Sequence, residues 1–285
     1  MDVMVTHGAD GRRGATAGEG LTQVAETKRD AVPTLEALGI VVNYGGIRAV
    51  NDVSLQLNDG CLGIIGPNGA GKTTLLDALA GLRRPNQGRV LLDGDEVTSR
   101  SSTWLARHGI RRTFQRHQAF GWLTVEENLL VAAEWRGRSM RILNDLFGLP
   151  SGKRRQQAMA SRVDAAIERC GLQSVRNERA ATLPIGQIRL MEFARAIIDR
   201  PRVLLLDEPT SGLPAEDTAR LAEVVRQITT EDNCAAILVE HDVDFVSKVA
   251  DRVLVLQVGS VLAEGETQSV LSNPQVMAAY LGDAV

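Results

Sequence analysis

The sequence contains no hydrophobic run long enough to cross a membrane. A spanning helix needs about 20 consecutive apolar residues. The longest apolar runs here, such as residues 203–206 and 234–239, have only the length of a β-strand. Asp2, His7 and Asp10 interrupt the segment where a secretory signal would have an apolar core. We therefore predict neither a membrane span nor a signal peptide, and any membrane association is expected to pass through a partner.

Cysteine is scarce as well, and the sequence has no excess of basic charge. The cysteines, Cys61, Cys170 and Cys234, are odd in number and widely spaced. This pattern argues against a disulfide framework or a zinc cluster, indicates a reducing compartment, and favours small core residues. The formal net charge of the 285 residues is −3, which argues against a protein that coats nucleic acid. We predict no nucleic-acid partner.

What the chain does have is a globular composition, with 44% hydrophobic and 24% charged residues. Residues 1–33 are rich in Gly, Ala and polar residues without an apolar period, which predicts a disordered tail. Beyond the tail, strands alternate with helices, and this alternation predicts a largely parallel sheet with covered faces. Residues 116–183 differ, because Met159, Val163 and Ile167 repeat at helical steps of four. We interpret that segment as a mostly helical insertion.

Short apolar runs predict the strands, and longer segments with a helical period predict the helices. The predicted strands cover residues 35–42, 49–57, 61–65, 89–92, 202–206, 235–239, 253–257 and 261–263. The predicted helices outside the insertion cover residues 72–80, 187–199, 215–230 and 243–250.

A phosphate-binding loop follows the third predicted strand. It fits the pattern G-x-x-x-x-G-K-[ST] and comprises Gly66, Pro67, Asn68, Gly69, Ala70, Gly71, Lys72, Thr73 and Thr74. Glycines let successive backbone N–H groups surround phosphate oxygens, and the helix that follows contributes the partial positive charge of its N-terminus. Lys72 can reach the β- and γ-phosphates of a nucleotide, and the Thr73 hydroxyl can ligate Mg²⁺.

Two adjacent carboxylates form a second signal. Asp207 and Glu208 follow the buried-type strand at residues 203–206. In open α/β sheets, ligands bind at the carboxyl ends of the strands. Asp207 is therefore predicted to hold the Mg²⁺ shell, and Glu208 to orient or deprotonate an attacking water.

Further motifs lie around these two in a fixed order. They are Tyr44-Gly-Gly, residues 112–115 (RTFQ), residues 183–187 (LPIGQ), His241 and residues 279–283 (AYLGD). From about residue 35 to the C-terminus, the chain resembles ATP-binding subunits of ABC transporters. More narrowly, it is similar to the ATPases of branched-chain amino-acid importers.

The resemblance implies an α/β fold of the P-loop NTPase (RecA-like) type, an ABC cassette with a helical subdomain and an antiparallel β edge. The RecA-like ATP-binding core would comprise residues 34–115 and 184–264, with the helical (signature) subdomain at 116–183. Residues 265–285 would form a C-terminal helical extension, and residues 1–33 the tail.

The resemblance also assigns roles to residues. Tyr44 would stack on adenine, Gln115 would sense the γ-phosphate and Mg²⁺, and His241 would contact the γ-phosphate. The implied catalytic residues are Glu208, His241 and Gln115, and the implied metal-site residues are Thr73, Gln115 and Asp207. The signature loop, which would contact ATP on an opposing subunit, comprises Leu183, Pro184, Ile185, Gly186 and Gln187.

The chain departs from the common cassette pattern at two places. Pro184 and Ile185 replace the Ser and Gly of Leu-Ser-Gly-Gly-Gln, and Pro184 has no donor for a phosphate. The N–H of Gly186 and the helix from Gln187 could still donate. Pro214 stands where many cassettes have an acidic residue that contacts the opposing subunit.

Other side chains receive simpler interpretations. Arg111, Arg112 and Arg116 are interpreted as a solvated basic face. Trp122 is interpreted as a packing residue, and the other hypothesis is that Phe120 and Trp122 line a groove where a membrane subunit docks.

The implied function is ATP binding and hydrolysis, with ATP and Mg²⁺ as cofactors, in an importer for branched-chain amino acids or a similar small polar solute. The implied partners are membrane permease subunits, a second ATPase subunit in a homo- or heterodimer and, indirectly, a solute-binding protein. The protein would then lie at the cytoplasmic face of the membrane, held there by the permease. Urea and short amides remain open as solutes.

Three other functions are considered. A lipopolysaccharide-exporter ATPase would differ near residues 112–115. A soluble cassette ATPase of DNA repair or translation would usually carry a long coiled coil or two tandem cassettes. A nucleotide-binding module without hydrolysis would have no need of Glu208 and His241.

Overall fold

The computed structural model describes residues 34–113, 118–134 and 151–281. The predicted tail at 1–33, Gln115 and Arg116 lie outside the described residues. None of the helices within the described ranges is long and apolar enough to span a lipid bilayer.

The described part of the chain contains strands and helices in alternation. The strands are β1 (Leu35–Tyr44), β2 (Ile47–Leu57), β3 (Cys61–Ile65), β4 (Gln87–Leu92), β5 (Asp95–Glu96), β6 (Ile110–Arg112), β7 (Val203–Asp207), β8 (Ala235–Val239), β9 (Arg252–Gln257) and β10 (Ser260–Glu266). The helices are α1 (Lys72–Leu79), α2 (Ser102–Arg107), α3 (Val125–Glu134), α4 (Ser151–Arg169), α5 (Ile185–Ile197), α6 (Ala215–Thr230), α7 (Val243–Val249), α8 (Thr267–Leu271) and α9 (Pro274–Leu281).

The strands form two sheets. Four antiparallel strands follow the order β2-β1-β4-β5, and six strands follow the order β10-β9-β3-β8-β7-β6. In the larger sheet, β9, β3, β8, β7 and β6 are parallel, and β10 pairs antiparallel with β9 at the edge. The alternation of strands and helices therefore does produce a mainly parallel sheet, as the sequence predicts.

The larger sheet separates two hydrophobic cores. Successive side chains of a strand point to opposite faces. In β7, Leu204 and Leu206 join the core formed with helices α3 to α7, whereas Val203 and Leu205 join the core shared with α1 and the smaller sheet. All five residues of β7 are buried, which explains why the four residues before Asp207 are all apolar.

The register of the central strands aligns their carboxyl ends. Ile64 near the end of β3 pairs with Val239 of β8, and Val239 also pairs with Asp207 of β7. The residues that follow these three strands therefore meet at one edge of the sheet. The cysteines are buried in the cores, as predicted.

Candidate nucleotide-binding site

The phosphate loop occupies residues 66–71 between β3 and α1, and Lys72, Thr73 and Thr74 form the first turn of α1. Gly71 is the N-cap of α1 and has a φ of 101°. A Cβ there would overlap the carbonyl oxygen of Ala49, so only glycine fits. No side chain among the described residues caps α1, so that its first N–H groups face the loop, where an anion is favoured.

A turn between β9 and β10 supports this loop from outside. The N–H of Gly259 donates to the Ala70 carbonyl over 3.0 Å, and the N–H of Asn51 donates to the Gly259 carbonyl over 2.7 Å. These bonds tie the loop both to β2 and to the β9–β10 hairpin.

The Lys72 side chain is buried against its own loop. Its Nζ donates to the carbonyl oxygens of Gly66 at 2.6 Å and Pro67 at 3.0 Å. Burial lowers the pKa of the Lys72 ammonium group, and the nearby carboxylates of Glu208 and Asp207 oppose this shift in part. A buried cation beside backbone donors is the charge distribution that a polyphosphate needs.

Thr73 and Asp207 come together although they are far apart in the sequence. Thr73 Oγ1 donates to Asp207 Oδ1 over 3.3 Å, and Asp207 is only 2% exposed. A hydroxyl beside a carboxylate supplies the oxygen ligands that Mg²⁺ prefers. These two residues fit a magnesium site next to the phosphate loop.

Arg112 is buried, although the sequence analysis interpreted it as part of a solvated basic face. Its side chain is 7% exposed and forms ion pairs with Asp77 of α1 and, at 2.9 Å, with Asp207 Oδ2. Arg111 pairs at 3.0 Å with the buried Asp199. Because β6 lies beside β7, its side chains face packed helices, so the prediction of a solvated face is wrong for both arginines.

We expect Arg112→Met to destabilise the nucleotide-free protein by about 3 kcal/mol, because it leaves the Asp207 carboxylate buried without its guanidinium partner. Urea unfolding followed by circular dichroism measures this loss. The matched control is Arg252→Met, which breaks an exposed pair with Glu264 and is expected to cost less than about 1 kcal/mol. If the two variants lose the same free energy of unfolding, the buried Arg112–Asp207 pair contributes no more to stability than an exposed pair.

Glu208 follows β7 in an unusual backbone conformation. Its φ is 46°, in the left-handed region, and its N–H donates to the Val239 carbonyl over 2.9 Å. Such a conformation costs of order 1–3 kcal/mol for a non-glycine residue and persists only where neighbours impose it. The half-buried side chain lies at the same sheet edge as Asp207.

Sequence reasoning missed Glu240, which follows β8 and is 0% exposed. Its carboxylate accepts hydrogen bonds from the Thr210 N–H at 2.9 Å, the Thr210 hydroxyl and the His241 N–H at 3.0 Å. The predicted site residue His241 is exposed, with Nδ1 3.6 Å from Glu240. An acidic residue directly after an apolar strand was the available signal, since Asp207 was identified by the same pattern.

Tyr44 lies at the end of β1 with its ring partly exposed. The guanidinium carbon of Arg83 is 3.7 Å from the ring centroid, a cation–π contact, and Arg83 Nη2 donates to the Asn43 carbonyl over 3.1 Å. The adenine-stacking role of Tyr44 stays a prediction.

The signature residues surround the start of α5. Leu183 is buried, Pro184 is the N-cap, and Ile185, Gly186 and Gln187 form the first turn. The prediction that this helix starts at Gln187 is wrong, because the Pro184 carbonyl already accepts a hydrogen bond from the Ile188 N–H over 3.1 Å and α5 begins at Ile185.

Gly186 also packs closely on the next helix. A Cβ at Gly186 would overlap the carboxylate of Asp217 in the first turn of α6. The signature turn is therefore fixed against α6 within this chain.

A cavity of about 280 Å³ lies between β6, α3 and α5. Its lining includes Thr113, Phe120, Val131 and Arg195. Trp122 is exposed, so the interpretation of this residue as a packing residue is wrong.

Comparisons with known proteins agree with this arrangement. The family model of the ABC transporter matches residues 50–211, and the model of the branched-chain amino acid ATP-binding cassette transporter matches residues 260–285. The high-affinity branched-chain amino acid transport ATP-binding protein BraF of Pseudomonas aeruginosa is 38% identical over 88% of this chain and 99% of BraF. The protein LivG of Escherichia coli K12, which carries the same description, is 37% identical over 88% of this chain and 99% of LivG.

Solved structures show the same fold. An ATP-binding cassette of an ABC transporter in its ADP conformation superposes with a TM-score of 0.74 at 29% identity, over 88% of this chain and 99% of that one. A dimeric bacterial ABC transporter cassette matches with a TM-score of 0.70 at 23% identity over 82% of this chain and 98% of that one, which supports the fold alone. The predicted cassette fold is thus confirmed, and the chain belongs to the ABC transporter family as one of its ATP-binding cassettes, an ATPase.

Proposed function

We propose that this protein is the ATP-hydrolysing subunit of an importer for branched-chain amino acids. The observation that carries the proposal is the meeting of Lys72, Thr73, Asp207, Glu208 and His241 along one edge of a parallel sheet. The relatives BraF and LivG, both described as branched-chain amino acid transport proteins, support this choice of solute. The match of the C-terminal residues to the branched-chain family model supports it as well.

The chemistry of each residue follows from its place. Lys72 and the N-terminus of α1 bind the β- and γ-phosphates, and Thr73 with Asp207 holds Mg²⁺. When bound, Mg²⁺ neutralises charge on the phosphate oxygens. Glu208 orients or deprotonates the attacking water, and His241 contacts the γ-phosphate.

A single chain supplies one phosphate loop and one signature turn. Transport by ABC proteins requires a pair of cassettes and a membrane permease. We infer that the signature turn at residues 183–187 completes the ATP site of the opposing cassette, which is either a second copy or a sister subunit. ATP then forms part of the interface, and hydrolysis removes it, which makes the pair a two-state switch.

The same proposal places the protein at the cytoplasmic face of the membrane, held there by its permease and served by a solute-binding protein. The cavity beside Phe120, together with the exposed Trp122, supports the hypothesis of a docking groove for the permease. Gln115, which directly precedes the helical insertion in the sequence, would link the γ-phosphate and Mg²⁺ to that insertion.

An affinity purification tests the proposal. We expect a tagged Glu208→Gln form, incubated with ATP and Mg²⁺ in gently solubilised native membranes, to recover two polytopic permeases and a cassette partner. Uptake of labelled leucine in cells with and without this subunit then tests the solute, with urea and a short amide as competitors. Recovery of ribosomal or nucleic-acid-binding proteins without a permease would contradict the importer function, and leucine uptake that is the same with and without this subunit would contradict the solute.

A further inference from the structure

Glu240 is a buried carboxylate that has no role in the chemistry proposed above. It is completely inaccessible to solvent, at a position directly after an apolar strand. Burying a carboxylate is costly unless hydrogen bonds replace its lost hydration. The hydrogen bonds to the Glu240 carboxylate come from two separate segments of the chain, and the positions of these segments suggest what the residue does.

Each carboxylate oxygen serves one segment. Oε1 accepts from the N–H and the hydroxyl of Thr210, on the chain that leaves β7. Oε2 accepts from the N–H of His241, on the chain that leaves β8, and lies 3.6 Å from His241 Nδ1. Glu240 thereby joins the segment that carries Glu208 to the residue His241.

The connection made by Glu240 helps to hold the unusual backbone conformation of Glu208. A left-handed conformation at Glu208 needs to be held from outside. The hydrogen bond from its N–H to Val239 holds one side, and the bonds of Thr210, two residues further on, hold the other. Both supports originate in the end of β8, so a shift of that strand end would move Glu208 and His241 together.

We propose that Glu240 is a positioning residue for ATP hydrolysis, which fixes Glu208 and His241 relative to each other without contacting the nucleotide. This inference rests on the proposed function. A carboxylate suits the task because both of its oxygens accept hydrogen bonds. A glutamine has the same shape but one acceptor oxygen, and its NH₂ group would face an N–H donor on one of the two segments.

The first test is Glu240→Gln. We expect kcat for ATP hydrolysis to fall about 10- to 100-fold, the range of a displaced general base. The KM and the ATP dissociation constant should stay within about threefold, because the side-chain hydrogen bonds of Glu240 go to Thr210 and His241 and not to the phosphate loop. The matched control is Glu231→Gln, an exposed glutamate at the end of α6, which should leave all of these constants unchanged. A folded Glu240→Gln protein with the kcat of the original chain would overturn the proposal.

A second pair of variants keeps the test valid if Glu240→Gln does not fold. Thr210→Val removes the hydroxyl bond to Glu240 but keeps the N–H bond, and it should lower kcat about 3- to 10-fold. Thr210→Ser keeps both bonds and should restore kcat to within about twofold. Equal kcat in the Val and Ser variants would overturn the proposal. Permease recovery by the Glu208→Gln form, which keeps Glu240 and Thr210, does not depend on these results, so the proposed function is tested separately.

Discussion

Glu208→Gln is expected to lower kcat for ATP hydrolysis about 1000-fold, which corresponds to roughly 4 kcal/mol of lost transition-state stabilisation. The amide keeps the size of the side chain but cannot take a proton from water. Lys72 and Thr73, which we propose bind the phosphates and Mg²⁺, keep their side chains in this variant. The ATP dissociation constant should therefore stay within about threefold, and the ATP-bound pair of cassettes should accumulate.

Two measurements check this expectation. Phosphate release gives kcat, and size-exclusion chromatography with ATP and Mg²⁺ shows whether the closed pair accumulates. The matched control is Glu223→Gln on the exposed face of α6, which should hydrolyse ATP normally and show no accumulation. Full hydrolysis by Glu208→Gln would remove Glu208 from the role assigned to it.

Lys72→Met is expected to raise the ATP dissociation constant about 1000-fold, since losing a desolvated charge contact costs 2–5 kcal/mol or more. The methionine retains much of the buried stem but removes the cation. Because burial already disfavours the charged form of Lys72, the nucleotide-free protein should unfold at a urea concentration no lower than that of the original chain. Weak binding with an intact fold is the distinguishing result.

Titration with a fluorescent ATP analogue measures this affinity. The matched control is Lys248→Met, at an exposed position in the last turn of α7, for which the dissociation constant should not change. Unaltered binding by Lys72→Met would rule out a phosphate contact by this lysine.

The central elements could be predicted from the sequence because their signals are local. The bounds of β3, β8 and α6 agree with the prediction. The apolar run of β8 ends at Glu240, and the run of β3, which contains Gly63, ends at the glycine that opens the phosphate loop. The short strand β6 was missed because two of its three residues are arginines. Those arginines form ion pairs with Asp199 and Asp207, which lie far along the chain.

In the candidate site, too, the residues in local motifs could be predicted, and those whose partners are distant in the sequence could not. The phosphate loop and the pair Asp207 and Glu208 are contiguous motifs, so their positions could be predicted. Glu240 reaches Thr210, and Arg112 reaches Asp207, only when β6, β7 and β8 lie side by side, and no local pattern encodes that order. The start of α5 was placed two residues late because Ile185 and Gly186 were read as loop residues.

The contact between the phosphate loop and the β9–β10 turn has a consequence for biosynthesis. Residues Asn51 and Ser260, which also share a hydrogen bond, are 209 positions apart. A ribosome releases the phosphate loop long before it releases Gly259, whose N–H holds the Ala70 carbonyl. Because chains fold progressively as they emerge, a nascent chain that ends before residue 259 lacks this support. The support of the phosphate loop by the β9–β10 turn is thus completed only after residue 259 has been synthesised.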